Sequence, residues 1–299
     1  MTSPKRVDPN LPRLEPEPDS HPALPERSAV RRSFDRAAHS YDEHAVLQRE
    51  VCSRLLERLD LTTIEPRVIV DLATGTGQGA GDLHRRYRKA TVHPMDISEQ
   101  MLKRARRQGG WLRKLPAICA DASHLPIADN SVDLVFSSLG LQWVDDLDRC
   151  FREIRRVLKP RGLFLFTTFG PDTLKELSAA WQAVDERTHV NAFADMHDIG
   201  DGLVRAGLAE PVMEVEHFTL TYDTADELMR DIKRIGAHNV TADRPRGLTG
   251  PKKMARFREA YEQFRDDGRL PATYEVVYGT VWAPKARTGP RNGHEMDTR

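Results

Sequence analysis

The 299 residues carry 45 Lys and Arg against 45 Asp and Glu, and this zero balance excludes the global positive field of a dedicated nucleic-acid binder. A 39% hydrophobic and 30% charged composition is that of a soluble globular chain, with no run near the roughly 20 apolar residues of a membrane span. Cys52, Cys119 and Cys150 are odd in number and unclustered, which argues against a disulfide framework or a Cys-rich zinc site, and no histidine spacing suggests a metal; His39 and His44 read as ordinary helix positions.

Residues 1–28 hold seven prolines and little that builds a core, so they are expected to form a disordered tail. They also lack the apolar stretch of a secretory signal, which points to the cytoplasm. The folded domain is expected over 29–284, followed by a polar tail at 285–299. Val46, Leu47, Val51, Leu55 and Leu59 recur at helical spacing, and after Pro66 the pattern switches to a buried strand at 68–73. A glycine-rich turn, a helix to about 88 and a strand at 91–96 follow, and Ser98 is placed to cap the next helix. Further short apolar runs stand at 117–120, 132–138 and 162–168, with a helix at 146–158 between the last two. Apolar runs without alternation suit parallel strands covered on both faces. Helical patterns then occupy 171–187, 195–206 and two stretches between 224 and 266, with strand-like runs at 212–222 and 274–282. The fold expected is a doubly wound, mostly parallel seven-stranded α/β sheet whose helical lid comprises 171–194 and 223–270.

The turn after the first strand reads D-L-A-T-G-T-G-Q-G-A from Asp71 to Ala80. Glycines let a backbone turn tightly and approach a ligand, and this turn also satisfies the dinucleotide pattern G-x-G-x-x-A. Three acids separate the readings. Asp71 ends the first strand, suited to an ammonium, Asp96 ends the second, suited to a ribose diol, and Asp121 follows the third. That set fits a nucleoside carrying an amino acid and offers no cationic pocket for a pyrophosphate.

On these residues, with Asp96-Ile97-Ser98, Asp121-Ala122 and K-P-x-G from Lys159 to Gly162, the chain resembles the class I methyltransferases that use S-adenosylmethionine. The resemblance implies that Asp71, Gly75 and Gly77 border the methionine moiety, Asp96 the ribose, and Asp121 with Ala122 the adenine. Two departures stand out. Ala73 adds a methyl where the family usually has glycine, and Pro94 removes an amide from a strand expected to be interior.

Other segments resemble a narrower family, the malonyl-acyl-carrier-protein O-methyltransferases of biotin synthesis. They are F-D-R-A-A-x-x-Y (Phe34 to Tyr41) with Gln48, S-S-L-x-L-Q-W (Ser137 to Trp143), A-W-Q-A-V-D-E-R-x-H-x-N (Ala180 to Asn191), I-G-A-x-N (Ile235 to Asn239) and P-A-T-Y-E-V-V-Y-G (Pro271 to Gly279). The resemblance implies methylation of the free carboxylate of a malonyl thioester, borne on acyl carrier protein or coenzyme A, at the start of the pimeloyl branch. It implies a catalytic set of Arg187, Tyr41 and Trp143, with Arg187 on the malonyl carboxylate or thioester, and adds Gln48 and Ser138 to the cofactor-binding set. Asn239 and Tyr278 are further candidates. A monomer without nucleic-acid, membrane or metal partners is expected, with the acidic carrier docking on one of three basic clusters: 85–89, 103–107 or 252–258. The competing readings are a methyltransferase-like protein resembling an arginine-hydroxylating assembly factor, a non-catalytic binding module, and a nicotinamide oxidoreductase.

Overall fold

The computed structural model describes residues 26–110, 114–185, 187–237 and 250–285. Its strands are β1 (Val68–Leu72), β2 (Thr91–Asp96), β3 (Ile118–Cys119), β4 (Val132–Ser137), β5 (Leu158–Phe169), β6 (Ala209–Tyr222) and β7 (Leu270–Trp282). They form one sheet in the order β3-β2-β1-β4-β5-β7-β6, parallel from β3 through β5, with β7 antiparallel to both β5 and β6. The helices are α1 (Arg27–Ala37), α2 (Tyr41–His44), α3 (Val46–Glu57), α4 (Gln78–Arg86), α5 (Glu99–Ala105), α6 (Leu147–Val157), α7 (Lys175–Gln182), α8 (Met196–Arg205), α9 (Ala225–Arg234) and α10 (Pro251–Glu262). This is the doubly wound, seven-stranded sheet expected. The tails assigned to 1–28 and 285–299 lie almost wholly outside the described residues.

Successive strand residues point to opposite faces, and here both faces are covered. Ile69, Leu163 and Leu165 enter one core with Leu55, Leu83, Trp181 and Phe257. Their neighbours Val70, Phe164 and Phe166 enter another with Phe151, Ile154 and Leu203. Two cores on one set of strands explain why the sequence reads as unbroken apolar runs. Strand order reverses between β1 and β4, the switch point at which open α/β sheets bind ligands.

Local chemistry sets several boundaries. Ser98 accepts from the Met101 amide at 3.2 Å and Asp146 from the Arg149 amide at 2.8 Å, capping α5 and α6. Val46, expected on the apolar face of α3, is instead 56% exposed, because Leu47, Val51, Cys52 and Leu55 already fill the buried stripe. α7 is shorter than the helix expected over 171–187: Leu174 takes the left-handed region at φ 58°, so a turn precedes it. Pro94 is tolerated because β3 pairs with β2 only from Met95 onward, leaving that side of the strand without a partner at Pro94. The proposed lid segments pack as a layer: Trp181 of α7 stacks on Phe257 of α10 with centroids 4.3 Å apart, and buried Glu176 accepts from the Thr273 amide of β7 at 3.0 Å.

Candidate active site

A cleft opens at the carboxyl ends of β1 to β4, roofed by α1, α2 and the start of α3. Its empty space, open mouth included, is about 1190 Å³. Tyr41, Gln48, Asp71, Gly75, Asp96, Asp121, Ala122, Ser138 and Trp143 all line it, so nine of the eleven residues in the expected catalytic and cofactor-binding sets converge here. Gly77 and Arg187 do not.

The three acids sit as their strands dictate. Asp71 ends the face of β1 that carries Ile69, is 2% exposed, and accepts from the Thr74 hydroxyl at 2.5 Å. Burial pushes its carboxyl up to about 7, against the hydrogen bonds from Thr74 and the Ala80 amide. Asp96 accepts from the Ser98 amide at 2.8 Å and the Gly75 amide at 2.9 Å, which stitches the β2 loop to the glycine turn. Burial raises it to about 6, again opposed by those backbone donors. Asp121 accepts from the Ser123 amide at 2.7 Å and pairs with Arg27 at 2.9 Å. Two desolvated carboxyls at one rim favour a ligand that brings its own positive charge and hydroxyl donors.

The extra methyl at Ala73 has a seat. Ala73 adopts φ 54°, and a Cβ built on Gly140 would lie 2.5 Å from that of Ala73 and 2.9 Å from the Ser137 hydroxyl. The absent side chain at 140 therefore leaves room for the side chain present at 73, and both residues line the cleft. Gly140→Ala is expected to cost about 1–3 kcal/mol of stability by overpacking, and Ala73→Gly in the same chain to recover most of it. Thermal unfolding of the two singles and the double checks this; additive losses would contradict the fit.

The roof positions the remaining candidates. Tyr41 opens α2, and Gln48 lies in the first turn of α3. Trp143 ends a 3₁₀ turn after β4 and meets Phe34 of α1 edge to face, centroids 5.2 Å apart, so two aromatic rings close that end of the cleft. Cys52, also in the wall, has its thiol pushed up by burial and then by the Asp71 charge, so it stays protonated.

Arg187 stands apart from the other candidates. It is exposed and outside the cleft, in a segment organised by Asp185, which accepts from the Arg187 amide at 3.2 Å, His189 at 2.8 Å and Lys253 at 2.8 Å. Tyr278 is likewise elsewhere, buried in β7 beneath the Arg58 guanidinium at 3.6 Å, and Asn239 lies outside the described residues. All three basic clusters are partly engaged internally: Lys253 pairs with Asp185, Arg256 donates to the Ala183 carbonyl and Arg258 pairs with Asp226, while Arg86 pairs with Asp60 and Arg104 with Asp42. The sequence reading missed Arg27, Asp42 and Thr76 in the cleft wall. Thr76 stands inside the glycine turn and was within reach of a closer reading.

A protein-family profile described as a methyltransferase domain matches residues 70–166. A malonyl-acyl-carrier-protein O-methyltransferase of Gallionella capsiferriformans is 51% identical over 268 residues, covering 88% of this chain and 92% of that protein. One of Laribacter hongkongensis is 53% identical over 270 residues, covering 88% and 91%. Among solved structures, Haemonchus contortus phosphoethanolamine N-methyltransferase 2, in complex with phosphomonomethylethanolamine and S-adenosylhomocysteine, superposes with a TM-score of 0.53. It is 18% identical and covers 87% of this chain and 60% of that one, a likeness of fold.

Proposed function

The chain belongs to the malonyl-acyl-carrier-protein O-methyltransferase family, and from that premise we propose the roles of its cleft residues in moving a methyl group from S-adenosylmethionine to a malonyl carboxylate. The enzyme is a carboxyl O-methyltransferase, and its acceptor is the free carboxylate of a malonyl thioester on acyl carrier protein. The nicotinamide, arginine-hydroxylase and binding-module readings fall away.

The observation that carries the site assignment is the row of three carboxylates at one rim, two of them raised by burial. Asp71 takes the ammonium of the methionine moiety, Asp96 the ribose hydroxyls, and Asp121 beside Ala122 the adenine amino group. Gly75, Gln48 and Ser138 complete the cofactor wall. S-adenosylmethionine supplies an electrophilic methyl on a sulfonium. The attacking malonyl oxygen is already ionised at neutral pH, since carboxyls titrate near 4, and no general base is required. The protein's task is then to orient the two reactants at about 3–3.5 Å in a water-poor space. Tyr41 and Trp143 are the walls placed to do that, and Phe34 backs Trp143. The protonated Cys52 thiol offers no competing nucleophile.

Arg187, displayed on the surface, is suited to the incoming acidic carrier rather than to the bottom of the cleft. Arg187→Ala is expected to lower turnover of malonyl carrier protein while S-adenosylhomocysteine affinity stays unchanged, both read on the same preparation. Equal loss of both would remove that role. The reading as a whole is tested by mass spectrometry of malonyl carrier protein incubated with enzyme and S-adenosylmethionine. One methyl gained on the malonyl oxygen is expected, and an unmodified acyl chain overturns the reading.

Protonation gives a second test. A carboxyl raised to about 7 binds a proton in the empty folded protein that the unfolded chain, titrating near 4, has released. Asp71 thus lowers stability as pH rises from about 4 to 7, and only its ionised form attracts an ammonium. Affinity for S-adenosylhomocysteine should climb roughly tenfold from pH ~6 to pH ~8 and then level off. Calorimetry across that window checks it, and Asp71→Asn should flatten the slope.

A further inference from the structure

The roof is joined to the rim by three polar ties, one to each cofactor loop. Arg27 of α1 reaches Asp121, after β3, at 2.9 Å, and also Asp145 at 2.7 Å. Asp35 of α1 accepts from the hydroxyl of Ser98, two residues past Asp96 and after β2, at 2.6 Å. Asp42 of α2 accepts from the hydroxyl of Thr76, between Gly75 and Gly77 and after β1, at 2.6 Å. The other Asp42 oxygen pairs with Arg104 of α5 at 3.2 Å, and Arg104 also donates to the His39 carbonyl at 2.8 Å. Residues 27, 35 and 42 are spaced about two helical turns apart, so the segment lies along the row of loops like a strap.

The partners at the two inner ties are fixed. Thr76 is 4% exposed and Ser98 fully buried. The Thr76 carbonyl accepts from Gln108 at 3.3 Å, and Gly77 is seated against Ala105 of α5. Asp42 is itself exposed, so its carboxylate adds little to global stability, as exposed polar pairs generally do. Its consequence is local: Tyr41, the adjacent residue, lines the cleft, and its place over the cofactor follows from where α2 is pinned.

We propose that Asp42 is a positioning residue for cofactor capture. By joining α2 to the glycine turn through Thr76, it holds the segment 27–44 closed over the cleft, and that tie must part before the demethylated cofactor leaves. This rests on the cleft being the S-adenosylmethionine site, and its test uses no acyl substrate, so the two can fail separately.

The experiment compares wild type, Asp42→Ala, Thr76→Val and the double variant. S-adenosylhomocysteine dissociation is followed by stopped flow, hydrogen exchange is measured over 27–44 with and without S-adenosylhomocysteine, and thermal unfolding of the empty proteins is recorded. Each single substitution should speed dissociation by about tenfold, the effect of one lost charged hydrogen bond, with the unfolding midpoint of Asp42→Ala near that of wild type. The double should be no faster than the faster single, because Asp42→Ala already removes the contact that Thr76→Val removes. In wild type the cofactor should slow exchange across the segment, and both singles should lose most of that slowing. Wild-type dissociation rates in the singles, multiplied effects in the double, or exchange indifferent to S-adenosylhomocysteine would each overturn the proposal. A wild-type chain that does not bind S-adenosylhomocysteine would overturn the cofactor site, and the strap with it.

Discussion

Asp96→Ala is expected to weaken S-adenosylhomocysteine binding by about 1–3 kcal/mol, a loss of roughly five- to 150-fold, through the charged hydrogen bonds to the ribose that are no longer made. A second effect acts in the same direction. The wild-type carboxylate also accepts from the Gly75 and Ser98 amides, so alanine leaves two donors at the rim without their acceptor and loosens the join between the glycine turn and the β2 loop. Stability should change less than affinity, because a carboxyl raised to about 6 by burial is itself costly to keep ionised at neutral pH, and its removal relieves that cost. Asp96→Asn keeps one acceptor oxygen and should fall between wild type and alanine. Calorimetric titration with S-adenosylhomocysteine beside thermal unfolding separates the two quantities. An unchanged dissociation constant in the alanine variant would contradict the ribose assignment.

The parts of this site that were legible in the sequence are those fixed by local rules. A strand buried on both faces announces itself as an apolar run, and its carboxyl end is the ligand edge of a parallel sheet, so the rim positions of Asp71, Asp96 and Asp121 were legible from where the runs end. Ser98 as the cap of α5 was legible because a cap needs only a hydroxyl at the right distance from an amide. What escaped depends on chain segments distant in sequence. No local pattern says that Arg27 meets Asp121, that Asp42 meets Thr76, or that Gly140 is bare because Ala73 is not. Arg187 is a further case: residue type marked a guanidinium able to orient planar oxygens, but only the fold shows that it is exposed and outside the cleft, while the neighbouring Asp185 is engaged by Lys253 and His189. Residue type and spacing bound the possible chemistry, and tertiary packing decides which charged groups are left to carry it out.

Gly77→Ala should be the most damaging single-methyl change at the site, costing about 2–4 kcal/mol of stability and abolishing measurable cofactor binding. Two penalties combine. Gly77 caps α4 with φ 87°, in the left-handed region that L-residues enter at a cost of about 1–2 kcal/mol. Its added Cβ would lie 2.5 Å from the Cα and 2.7 Å from the Cβ of Ala105, and these atoms cannot yield by a rotamer change. α5 is itself held in place by the Ser98 cap and by fully buried Met101, Leu102 and Ala105. The glycine turn would have to move instead, and that movement breaks the Gly75–Asp96 and Thr76–Asp42 contacts together. Gly75→Ala provides the control. Gly75 shares a positive φ, 57°, but a Cβ there meets nothing within 4 Å, so only the same conformational cost of about 1–2 kcal/mol is expected in the empty protein. The difference in unfolding midpoint between the two variants therefore isolates the contact with α5, and a Gly77→Ala protein as stable as Gly75→Ala would show that the turn is not seated on that helix.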